Sequence, residues 1–95
     1  MYSLSSIHRT TAIDRLEHLR DCLRSQKSSN SFGHLVEECN HLVKAVKTFH
    51  MEAIRFRMFG LSRQLELSSD SVPEDAKKIF EEAREALQAA GFLTR

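Results

Sequence analysis

Four side chains able to ligate a metal ion stand close together in the chain: His34, Glu37, Glu38 and His41. On a helix they share one face. Glu38-x-x-His41 has the i, i+3 spacing by which a carboxylate and an imidazole reach a common dinuclear centre inside a bundle. That face lies opposite the apolar stripe of the same segment. Water competes for an ion there, and nothing fixes the imidazoles. The expectation is therefore no obligatory metal. The two cysteines, Cys22 and Cys39, do not form a Cys-x-x-Cys pair. Cys39 falls on an apolar stripe and Cys22 beside one, so both read as small hydrophobes rather than redox groups. No Ser/His/Asp order, Gly-rich phosphate loop or zinc spacing occurs. We assign no catalytic residue and expect no cofactor.

A second set lies further along. His50, Arg57 and Gln64 recur at intervals of seven. On one continuous helix they fall between two apolar lines. A cation between apolar lines is costly unless it is paired or reaches water. The set reads as a polar pocket with Arg57 as an anion binder, or as a polar layer that fixes register. Either way Arg57 needs a carboxylate. Glu81 and Glu85, in the acidic last third of the chain, are the expected partners.

The segment His41-Leu42-Val43-Lys44-Ala45 resembles the phosphoacceptor stretch of histidine phosphotransfer domains. In that family a His is followed by an apolar residue at +2, Lys at +3 and a small residue at +4, on an exposed face of a four-helix bundle. The resemblance implies that His41 accepts phosphate and Lys44 neutralises it. Ala45 stands where the family usually has Gly.

The elements that position these residues follow from apolar spacing. Residues 1–9 lack clear periodicity and read as a frayed arm. A first helix is expected from Thr11, where Thr11-Ala12-Ile13-Asp14 has the form of a capping box. Ala12, Leu16, Leu19 and Leu23 then give one stripe. Ser28–Ser31 ends it. From Phe32 to Leu65 there is no Pro and only Gly33 and Gly60. Leu35, Cys39, Leu42, Val46, Phe49, Ala53 and Phe56 keep a 4-3 rhythm throughout. This predicts one helix about 50 Å long, with Gly60 as the only candidate break. A last helix is expected from a Ser71/Glu74 capping box, with Pro73 in its first turn. Its stripe is Ala76, Phe80, Ala83, Leu87 and Ala90. Gly91 stops it in a left-handed conformation, and Phe92 folds back.

The expected fold is all-α: an antiparallel helical bundle of two shorter helices packed on one long central helix, a single domain over 1–95. Three Gly and one Pro in 95 residues are too few for the turns of an all-β domain. No apolar run is long enough to cross a bilayer. No secretory signal is visible, so the cysteines are expected reduced and the protein cytoplasmic. A net charge of +1 leaves no electrostatic footprint for nucleic acid or membrane. Past residue 49 the apolar residues of the long helix divide into two lines. One holds Phe49, Ala53 and Phe56, the other Ile54, Met58, Leu61 and Leu65. Two shorter helices cannot cover both. The expectation is a non-enzymatic interaction protein, a homodimer or the partner of another helix. Its interaction face would be Phe56, Met58, Phe59, Leu61 and Leu65. The alternative function is phosphotransfer at His41.

Overall fold

A computed structural model describes residues 4–26, 32–68 and 70–92. They form four helices: α1 (Leu4–Arg24), α2 (Gly33–Lys47), α3 (Met51–Leu67) and α4 (Glu74–Ala89). No strand occurs among the described residues. The radius of gyration is 12.7 Å and the extents are 43 × 21 × 18 Å. Helix α1 packs on both α2 and α4, and α3 packs on α2. The longest helix is therefore α1 rather than the segment after Phe32, and α1 and α2 each pack on two neighbours.

Each helix contributes one stripe to a common core. The buried lines are Ala12, Leu16, Leu19 and Leu23 on α1, and Leu35, Cys39, Leu42 and Val46 on α2. Ile54, Met58, Leu61 and Leu65 come from α3, and Ala76, Phe80, Ala83 and Leu87 from α4. All four keep the spacing of one helical face.

The single long helix is not formed. The chain reverses at Thr48-Phe49-His50, while Gly60 lies inside α3. A continuous helix of about 50 Å would exceed the 43 Å length of the whole molecule. The reversal also changes the apolar phase. An unbroken helix would carry the α2 stripe into Phe49, Ala53 and Phe56. After the reversal Ile54, Met58, Leu61 and Leu65 face the core instead, and Phe49 and Phe56 are exposed. The hydrogen bonds are those of a Schellman motif. The His50 N–H donates to the Ala45 carbonyl (2.9 Å) and the Phe49 N–H to that of Val46 (3.3 Å). Phe49 takes the left-handed position at φ +56°. Such a conformation costs a non-glycine residue about 1–2 kcal/mol. Two ring contacts offset part of this. The Arg9 guanidinium lies 3.9 Å from the Phe49 ring centroid, and the Phe92 ring lies 6.3 Å away.

Other boundaries also differ from the expectation. Helix α1 begins at Leu4, so it takes in most of the stretch read as an arm. Thr11 is not its cap: the hydroxyl donates back to the Ile7 carbonyl (3.1 Å) within the helix. The Ser28–Ser31 terminator lies outside the described residues. At α4 the cap position is Pro73, with extended backbone and no side-chain cap bond. The Ser71 N–H instead joins a turn onto the Ser68 carbonyl. Glu74 and Asp75 place negative charge in the first turn, where the helix dipole favours it. The α4 C-terminus follows the expectation. Gly91 has φ +94°, and the Phe92 N–H donates to the Leu87 carbonyl at 2.9 Å.

Candidate functional site

Helix α3 presents three faces. Its covered face has just been described. The face toward α2 holds Arg57, whose Nη1 donates to both carboxylate oxygens of Glu38 at 3.0 and 3.1 Å. Both side chains are partly buried, Glu38 more than Arg57. The expected partners Glu81 and Glu85 are not used. Glu81 accepts from Arg84 on its own helix at 2.9 Å, and Glu85 is exposed. The cause is the reversal at Phe49, which lays the Arg57 side of α3 along α2 instead of α4. His34, Glu38, Phe56, Arg57, Gly60 and Gln64 line a small cleft of about 120 Å³ there. Two of the three residues expected in a polar pocket thus share one site. His50 does not join them. It is exposed and caps α3, its Nδ1 accepting the Ala53 N–H at 3.4 Å.

The expected interaction face is divided by burial. Met58, Leu61 and Leu65 lie in the core and are not available to a partner. Phe56 is 77% exposed and Phe59 60% exposed. With Glu52 and Arg55 they line a shallow depression of about 370 Å³ on the outer face. Leu67, near the end of that face, is 73% exposed. Burying one such Phe is worth about 1.5–3 kcal/mol.

The metal-ligating set on α2 is dispersed. Glu38 turns to Arg57, His34 lines the same cleft, and Glu37 and His41 are exposed. Among the described residues no group of three or more His, Cys, Asp or Glu comes together as a possible metal site. His41 and Lys44 are both exposed, one turn apart, while Val43 and Ala45 are buried. Cys39 is buried, and burial pushes its thiol up to about 12. Cys22 is half-buried, and its thiol is raised by burial and then by the charge of Asp75. Both shifts favour the thiol over the nucleophilic thiolate.

Two arrangements had no signal in the sequence. Thr48-Phe49-His50 contains no glycine, asparagine or proline to mark a helix end. Arg84 is the other. Its Nη2 donates to Ser62 of α3 (3.0 Å), and its guanidinium carbon lies 5.0 Å from the Phe80 ring centroid. A lone Arg in an acidic helix gives no hint of such a cross-helix role.

No protein-family model, curated protein or solved structure matches this chain. The likeness around His41 therefore rests on those five residues. Among the described residues, no helix is long and apolar enough to cross a membrane.

Proposed function

We propose that this protein is a small non-enzymatic interaction module that docks a helix on the outer face of α3. The observation that carries the reading is the exposure of Phe56 and Phe59 on a helix whose core stripe is already complete. One exposed aromatic is ordinary; two on one helical face, with Leu67 further along, form a surface for helix-in-groove recognition. Short connections between α2, α3 and α4 support an antiparallel bundle as the scaffold. Two free cysteines fit a reducing, cytoplasmic setting.

The test is photo-crosslinking in the native host from benzoylphenylalanine placed at position 56. The expected result is one dominant adduct, absent when the probe replaces the exposed Glu37 on α2. Equal, diffuse labelling from both positions overturns the reading.

A second reading is phosphoryl transfer from the aspartyl phosphate of a response regulator to an imidazole nitrogen of His41. Its support is the joint exposure of His41 and Lys44. It expects an acid-labile phosphoramidate that His41→Gln abolishes; no label on the wild type removes this reading.

A further inference from the structure

The outer face of α3 has an internal symmetry. Glu52, Phe56, Phe59 and Arg63 are all exposed and follow one another at intervals of 4, 3 and 4. Those intervals keep them on one helical stripe. Read backwards the stripe has the same spacing, the same aromatic pair and an inverted charge order. A two-fold axis perpendicular to α3, passing between Phe56 and Phe59, maps the pattern onto its own complement. Resting on the reading of this face as the docking surface, we propose that its occupant is a second copy of this chain, with α3 against α3 in antiparallel register. Phe56 of each copy then packs on Phe59 of the other, and Glu52 of each faces Arg63 of the other.

Charge order selects this arrangement. A parallel pairing would set Glu52 against Glu52 and Arg63 against Arg63. The antiparallel pairing sets opposite charges together twice, as an isologous contact requires. It also buries four aromatic rings at the centre with charges at the rim, the usual anatomy of an interface. One helix from each side buries less than the ~1,200–2,000 Å² of a standard interface. The association is therefore concentration-dependent rather than permanent.

The experiment is sedimentation equilibrium of the full chain at low salt, from about 1 µM to about 1 mM. The wild type is compared with E52R, R63E, the double variant E52R/R63E, and an equimolar mixture of the two single variants. All four positions are exposed, and circular dichroism confirms folding. Each single reversal sets like charges at both contacts and should weaken the dimer roughly 10–30-fold. The double variant restores opposite charges and should recover most of the loss. The mixture should form a heterodimer more tightly than either variant forms its homodimer. A dimer indifferent to both reversals overturns the register. Loss of that dimer in F56S/F59S would then leave the docking face standing. A wild type monomeric at the highest concentration overturns the self-pairing outright. A crosslink from position 56 to a different protein would still uphold the face.

Discussion

The covered and outer faces of α3 carry similar residues to opposite fates. Ile54, Met58, Leu61 and Leu65 are at most 5% exposed, while Phe56 and Phe59 stand in water on the same 17-residue helix. Hydrophobicity does not separate the two sets, since the wet one holds the larger side chains. Their angular position relative to the reversal at Phe49 does. An apolar line becomes core only if the chain's path brings another helix against it, and α2 and α3 settle that between them at Thr48–His50.

The strongest way to break this comparison is to place charge on each face in turn. M58E/L61E buries two carboxylates without partners, at about 3–5 kcal/mol each. That is comparable to the whole stability of a domain this small, so the far-UV signal should show no cooperative melt. F56E/F59E should keep its melt within about 1 kcal/mol of the wild type. A folded M58E/L61E with an unfolded F56E/F59E would reverse the assignment of the faces.

Cys39 sharpens the comparison from the α2 side of the same core. Its thiol is raised in the folded chain from an ordinary value near 9 to about 12. The unfolded chain releases that proton first as pH rises. The thiol's contribution is thus fully present below pH 9 and is lost progressively between pH 9 and 12, by up to roughly 4 kcal/mol. Denaturant titrations of the wild type and Cys39→Ala should diverge with pH across that window. Parallel curves would mean that water reaches the thiol.

Arg57 stands between the two faces and should show an intermediate effect. Its pair with Glu38 is partly solvated. Arg57→Ala should therefore cost about 1 kcal/mol, well below the 3–5 of a fully buried pair. A double-mutant cycle with Glu38→Gln should recover most of that as coupling. Coupling to Glu81 instead would mean that α3 is rotated toward α4.

The smallest effects test the reversal that sets the faces. Gly91 and Phe49 hold the same Schellman position at two helix ends. Gly91→Ala should cost about 1 kcal/mol by forcing a side chain into the left-handed region. Phe49→Gly relieves that strain but loses the Arg9 and Phe92 ring contacts. Its net change should stay within about 0.5 kcal/mol. In an Arg9→Ala background the same substitution should become stabilising. Thermal melts of the four proteins check both expectations.

The parts of the fold legible in advance were those governed by neighbours along the chain. All four core stripes appear among the expected apolar lines, and so does the Gly91 stop with Phe92 folded behind it. The candidate site was legible only in pieces. Apolar spacing groups Phe56 and Phe59 with Met58, Leu61 and Leu65, whereas the fold exposes the first two and buries the other three. The place of Arg57 between apolar lines calls for a carboxylate, and Glu38 supplies it, but the acidic last third of the chain points to the wrong helix. Both errors descend from one place. The 4-3 rhythm of Leu35 through Phe56 passes Phe49 without a break, and local propensity there gives no reason to stop.

The amino-acid sequence by itself determined the helical class, the composition of each stripe, and the charges available to pair. These depend on 3.6-residue periodicity and on cap chemistry, which act within a few residues. Only the tertiary structure decided that the long apolar segment is two helices, which of its two lines is covered, and that Glu38 meets Arg57. The reason is one of balance. A left-handed Phe49 is unfavourable by one or two kcal/mol locally. Turning there brings the four side chains of the Ile54–Leu65 line out of water, each worth about 1.5–3 kcal/mol. That gain belongs to helices distant in sequence, so no window of residues around the turn contains it.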